Sequence, residues 1–237
     1  MAGRHVVAAL TSGGHEPIVL ARSRGVDLVT GKGLDEALVG VAAVVDVSNV
    51  VTTRRATSVA FFSAATNHLL AAGQRAGVAH HVALSIVGID RVDYGYYEGK
   101  RRQEELVLGG PVPARVLRAT QFHEFPAQVL SAVPGPIAPV IRMRIQPVAA
   151  REVAAALAAL AVGDAVGLAP ELAGPQEHEL VDLARRVLKA RGQRRVVFPF
   201  RMPGAAGRDL AGGGVLPQSS GRRGTQTFDE WLAADGE

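Results

Sequence analysis

Residues 80–100 read HHVALSIVGIDRVDYGYYEGK, and the fold turns on how that stretch divides. Together with Ala79, its first part is a nearly continuous apolar run, AHHVALSIVG (79–88). Such a run, apolar without alternation, suits a strand buried on both faces, as in parallel sheets. The charged stretch YYEGKRRQEELVLGG (96–110) predicts a helix ended by Gly109 and Gly110. ARVLRAT (114–120) returns to a strand. Strand, helix and strand joined by short loops predict a parallel pair with a crossover helix.

The same alternation extends upstream. VAAVVDVS (41–48) is a second buried strand, and residues 54–76 place Val59, Phe62, Thr66, Leu69 and Leu70 at helical spacing before Gly77. PIVLA (17–21) reads as a short buried strand, RSRGVDLVTGKG (22–33) as a loop, and LDEALVG (34–40) as a turn or two of helix. The chain opens MAGRHVVAAL, where Val6, Val7 and Leu10 predict the first turns of a helix with no strand before it. The pattern predicts an α/β fold, a doubly wound parallel sheet with ligands at the carboxyl ends of its strands.

Past residue 133 the texture changes. PGPIAPVIRMRIQPV (134–148) is Pro-rich and extended, and 150–162 is an Ala-rich helix. GLAPELAG (167–174) reads as a strand, EHELVDLARRVLKARG (177–192) as an amphipathic helix and RRVVFPF (194–200) as a late strand. Residues 203–224, rich in Gly, Pro, Ser and Arg, read as a mobile loop. TFDEWLAA (227–234) is a short helix with Thr227 and Glu230 spaced for a capping box.

Composition narrows the function classes. No apolar run approaches the ~20 residues of a membrane span, and no cationic segment leads into a long apolar core, so no signal peptide is expected. The 237-residue chain has no cysteine, which excludes disulfides, thiolate metal sites and Cys nucleophiles and makes a cytoplasmic location the default. Net charge is +4 and the pI about 9.9. The charge is almost all Arg, in scattered pairs interspersed with acids and without an aromatic platform, so a solvated surface is preferred to a nucleic-acid face. His80 and His81 alternate across a strand and no HExxH occurs, so no metal is expected. TGKG (30–33) fails as a phosphate loop because Gly33 follows Lys32, and there is no GxSxG elbow.

The constellation that carries chemistry is Ser85, Tyr96 and Lys100. Ser85 ends a predicted strand, and Tyr96 and Lys100 share a face of the next helix. An ammonium beside a phenol lowers its pKa, which suits a Tyr that exchanges a proton at neutral pH. A serine hydroxyl can bond a substrate carbonyl. The plainer alternative is a solvated helix face where Tyr and Lys coincide, and Gly99 weakens that turn.

HHVALSIVGIDRVDYGYYEGK, with ARVLRATQFHEF (114–125) and QPVAAREVAAAL (146–157), resembles the atypical short-chain dehydrogenase/reductase group in its NmrA-like, NAD(P)-binding branch. The resemblance covers essentially the whole chain. It implies a Rossmann-like dinucleotide-binding part over 1–133 and a C-terminal α+β substrate-binding part over 134–237 in the same compact unit. It also implies Ser85, Tyr96 and Lys100 in the roles just given, with Lys100 also reaching the cofactor ribose. The expected activity is that of an NAD(P)-dependent oxidoreductase on a small-molecule carbonyl or alcohol. The alternative is an NADP-binding regulator or sensor without catalysis, since members of this branch often lack the catalytic residues.

Family members begin with a strand and a GxxGxxG loop, and MAGRHVV matches only the end of that motif, with Gly3 as its last glycine. We therefore expect either a start inside a longer protein or a variant fold, and weak or absent dinucleotide binding by these residues alone. The second strand ends in LARSRG (20–25), where NAD-preferring folds carry a carboxylate. Arg22, Ser23 and Arg24 stand there instead, which favours NADP(H) over NAD(H). Asp27 matches the position that contacts adenine. Asp46, Val47, Ser48 and Asn49 end the next strand and should border the cofactor. Thr120, Gln121 and Phe122 should wall the nicotinamide or substrate pocket, and Tyr97, Phe122 and His123 should line the substrate side.

Overall fold

The computed structural model describes residues 2–163, 167–218 and 221–234. In chain order the elements are α1 (Ala2–Ser12), α2 (Leu34–Ala37), β1 (Ala43–Asp46), α3 (Arg55–Ala76), β2 (His80–Ile86), α4 (Gly95–Leu108), β3 (Ala114–Ala119), α5 (Phe125–Ala132), β4 (Ile137–Ile141) and β5 (Arg144–Ile145). There follow α6 (Ala150–Val162), β6 (Gly167–Leu168), β7 (Leu172–Ala173), β8 (His178–Glu179), α7 (Leu180–Ala190), β9 (Val196–Phe200), α8 (Gly204–Ala211), β10 (Arg222–Arg223) and α9 (Phe228–Ala234). The chain forms two compact units. One is drawn from Met1–Ile86, Tyr94–Arg118 and Arg151–Pro170, the other from Val87–Asp93, Ala119–Ala150 and Glu171–Glu237.

In the first unit β1 pairs in parallel with β2, from Ala43 against His80 to Asp46 against Ala83. β3 pairs in parallel with β6, Arg115 against Gly167. Two arginines of β3 show how helices cover both faces. Side chains alternate along a strand, so Arg115 and Arg118, an odd number apart, point to opposite faces. Arg118 makes a two-pronged ion pair with Glu104 of α4, at 2.9 and 2.7 Å, and Arg115 donates to the Leu160 carbonyl of α6 at 2.6 Å. This is the doubly wound parallel sheet that the sequence predicts, a Rossmann-like α/β fold. An apolar cluster of Val26, Leu34, Leu38, Val44, Leu69 and Leu70 ties α2, α3 and β1 together.

In the second unit Ala119 pairs with Leu172 of β7, which pairs in parallel with β10. β4 and β9 form a parallel pair, β5 and β8 an antiparallel one. The capping box at α9 is present: Glu230 N donates to Thr227 Oγ1 at 3.2 Å and Thr227 N to Glu230 Oε2 at 2.8 Å.

Two expectations fail. Residues 17–21 form no strand, and Ile18 and Val19 are 59% and 37% exposed. A strand exists by pairing, and among the described residues none pairs with this segment. The stretch 203–224, expected as a mobile loop, holds α8 and β10, with residues 219–220 outside those described. The Arg91 guanidinium fixes its middle by donating to the carbonyls of Gly214 and Leu216 at 3.0 and 2.6 Å.

The tightest approach in the first unit is between α3 and α4. A Cβ at Gly99 would come 2.7 Å from Phe62 Cδ2, and one at Gly95 2.9 Å from the Arg55 nitrogen. Gly99→Ala is therefore expected to destabilise by about 1–3 kcal/mol through overpacking, although Ala is the better helix former by ~1 kcal/mol. Urea unfolding of the variant checks this; a raised midpoint would mean that the helices do not touch there.

Candidate functional site

The α3–α4 contact sets the position of Tyr96. Ser58 of α3, fully buried, donates its hydroxyl to the Tyr96 carbonyl at 2.8 Å, and the rings of Phe62 and Tyr96 meet edge to face at 5.9 Å. The phenol then reaches the carboxyl end of β1, where Tyr96 Oη donates to Asn49 Oδ1 at 2.7 Å. Burial pushes its pKa up to about 12. Ser85, near the carboxyl end of β2, is 2% exposed, and its hydroxyl has no hydrogen-bond partner among the described residues.

Lys100 is 4% exposed. Its ammonium donates to the Leu84 carbonyl at 2.6 Å and to Gln103 Oε1, and lies 4.7 Å from the centre of the Phe62 ring. Gln103 Nε2 donates onward to Asp46 Oδ2 at 2.7 Å. Burial pushes the Lys100 pKa down to about 8, against the opposing pull of Asp46 and Glu104. His81 Nε2 stands 4.0 Å from the same Asp46 oxygen. Burial outweighs that carboxylate and holds the His81 pKa down, so the contact is not an ion pair.

The expected lowering of the Tyr96 pKa by Lys100 is therefore not what this arrangement gives. The phenol is shifted up, and the ammonium is committed to Leu84 and Gln103. Tight seating of α4 turns Lys100 into the interior of the unit, where a cation must find acceptors at once. Tyr97, one position on, is 7% exposed and packs edge-on against Tyr94 at 5.4 Å. Burial raises its pKa as well, followed by the influence of Tyr94 and Tyr96.

At the carboxyl end of β1, Gly3 and Val47 come together. A Cβ on Gly3 of α1 would lie 3.7 Å from Val47 Cγ2, so the first turn of α1 stands beside that strand end. Ser48 N donates to Asp46 Oδ1 at 2.8 Å, and the buried Ser48 hydroxyl has no partner among the described residues. Arg22, Ser23 and Arg24 form one exposed 3-10 turn. Asp27 Oδ1 accepts from the nitrogens of Val29 and Thr30 at 2.8 and 3.3 Å, and Oδ2 lies 4.0 Å from Arg22 Nε. That carboxylate thus closes its own turn.

In the second unit, the Thr120 hydroxyl donates to the Gln146 carbonyl at 2.6 Å, and Phe122 bridges to Val148. The side-chain amide oxygen and nitrogen of Gln121 are buried without a partner among the described residues. His123, expected on the substrate side, is fully buried. Its ring lies 5.8 and 5.9 Å from those of Phe228 and Trp231, and Nε2 contacts the Gln226 carbonyl at 3.1 Å. It packs α9 in place.

Gln103 is the residue that sequence reasoning missed. Its signal was present: it lies one helical turn after Lys100, and Asp46 is the one acid in an otherwise apolar strand. Among the described residues no group of three or more metal-ligating side chains occurs, and no helix is long and apolar enough to cross a membrane.

No protein-family model matches the sequence, and no curated protein matches it. The fold, in contrast, has many likenesses among solved structures. Triphenylmethane reductase of Citrobacter sp., complexed with NADP(H), aligns over 100% of this chain and 96% of its own, with a TM-score of 0.70 and 15% identity. An NADPH-dependent quinone oxidoreductase from Escherichia coli aligns over 100% and 97%, with a TM-score of 0.71 and 17% identity. A short-chain dehydrogenase/reductase superfamily protein from Agrobacterium tumefaciens with bound NAD aligns over 100% and 93%, with a TM-score of 0.68 and 19% identity. At these identities the likeness is one of fold.

Proposed function

We propose that the chain is a nicotinamide-dependent oxidoreductase of the short-chain dehydrogenase/reductase type, acting on a small-molecule carbonyl or alcohol. The observation that carries the reading is the buried Ser85 hydroxyl, unpartnered near the carboxyl end of β2, with Tyr96 on the helix that follows. A buried hydroxyl left unmet costs roughly 1–3 kcal/mol, and a ligand oxygen would remove that cost. The cofactors named for the similar structures, NADP(H), NADPH and NAD, support a dinucleotide. The first unit offers Gly3, Val47, Ser48 and Asn49 to border it and Lys100 to reach its ribose. Arg22 and Arg24, where a carboxylate would select NAD, favour a 2′-phosphate and hence NADP(H).

When bound, NADPH supplies the hydride that the carbonyl carbon receives. The Tyr96 phenol gives its proton to the carbonyl oxygen, and Ser85 donates a hydrogen bond to the same oxygen as charge builds there. Lys100, one turn along α4 and held at Leu84 and Gln103, would balance the phenolate left behind through its positive charge. Burial raises the Tyr96 pKa, and the phenol stands in the protonated form that carbonyl reduction needs.

A second reading has its own observation. The Lys100 ammonium faces Leu84 and Gln103, which suits a dinucleotide-binding regulator or sensor that does no chemistry.

Tyr96→Phe separates the two. With NADPH and a panel of small aldehydes and ketones, an enzyme loses at least about 100-fold in turnover while the dinucleotide still raises the melting temperature. A wild-type chain that is stabilised by millimolar NADPH but reduces no carbonyl is the sensor. Cofactor choice is read from the same melts. Arg22→Ala with Arg24→Ala should weaken NADPH binding about tenfold, the loss of roughly 1.5 kcal/mol of charge-assisted bonding, and leave NADH unchanged. Equal response of the wild type to both dinucleotides would overturn the preference.

A further inference from the structure

The Lys100 ammonium, the Gln103 amide and the Asp46 carboxylate form a continuous buried chain, of which the proposed reaction uses only the Lys100 end. Lys100 donates to Gln103 Oε1, and Gln103 Nε2 donates to Asp46 Oδ2 at 2.7 Å. The three residues are 4%, 1% and 3% exposed. They come from two elements, β1 and α4, and the amide is oriented by its neighbours. Its oxygen must face the cation and its nitrogen the anion, because an ammonium only donates and a carboxylate only accepts. A glutamine in this place lets two buried opposite charges balance each other without touching, through one hydrogen bond to each.

We propose that Gln103 and Asp46 are positioning residues for Lys100, fixing the buried ammonium against the Leu84 carbonyl and keeping it charged through the amide. The inference rests on the reading of Lys100 as part of the reaction site, but the relay itself is defined without it. The groups around the ammonium come from four elements. β1 brings Asp46. α4 brings Gln103 and Glu104. β2 brings the Leu84 carbonyl, with His81 beside Asp46, and α3 brings the Phe62 ring. Burial and the two carboxylates thus pull the ammonium in opposite directions, so removing a carboxylate or an acceptor must favour the uncharged amine.

The chain has only three lysines, Lys32, Lys100 and Lys189, so nitrogen NMR of ¹⁵N-lysine-labelled protein reads each side chain separately, with Lys100 assigned by its loss in Lys100→Met. In the wild type the Lys100 ammonium protons should exchange with water more slowly than those of the exposed Lys32 and Lys189. Asp46→Asn and Gln103→Met should each move the Lys100 titration to lower pH by on the order of one unit. Gln103→Glu, which sets a carboxylate against the ammonium, should move it to higher pH. Opposite shifts at one position do not arise from general loosening. Equal exchange rates in the wild type, or a Lys100 midpoint unmoved by the substitutions, overturns the relay. If carbonyl reduction is measurable, its pH profile should shift with the Lys100 midpoint. If the NMR shifts occur and no turnover is found, the relay stands and the enzymatic reading fails.

Discussion

Everything at the candidate site depends on how closely α4 can approach α3. Two missing side chains, at Gly95 and Gly99, allow it. The first brings the start of α4 onto the backbone at Thr53–Arg55; the second brings its first full turn onto Ser58 and Phe62. Once that contact is made, the direction of every other side chain on the turn is settled. Tyr96 points toward the end of β1, Tyr97 is buried, and Lys100 is driven inward. The same seating gives Glu104 its two bonds with Arg118. A helix with a poorer intrinsic preference is tolerated because tertiary contact repays the cost of its glycines.

The arrangement shows how unequal the legibility of a sequence is. The apolar run at 79–88 and the periodic stretch at 54–76 predicted β2 and α3 closely, because burial on both faces of a sheet and along one stripe of a helix leaves a clear pattern. The segment 17–21 shows the limit. Its residues are those of a strand, but pairing depends on what lies alongside, and pattern carries no such information. The stretch 203–224 fails for the converse reason. Its composition is that of a loop, and the tie to Arg91 is 123 residues distant in sequence at Gly214.

Side-chain direction was the least legible property. Four-residue spacing correctly placed Tyr96 and Lys100 on one face, yet one meets Asn49 and the other Leu84 and Gln103. A shared face fixes Cβ directions, while the long stem of a lysine lets its ammonium go where acceptors are. His123 is a similar case. Its neighbours Thr120, Gln121 and Phe122 invited a pocket reading, and only the packing of α9 shows that its ring is core.

β1 has a second consequence for the molecule. Among the described residues it is bonded along one edge only, by β2, and an open edge is a template on which other chains can add. This edge is four residues long and ends in Asp46, an acid turned into the protein. Shortness and an inward charge both discourage a further strand. The carboxylate that accepts from Gln103 thus also stands where an inward charge disfavours a further strand.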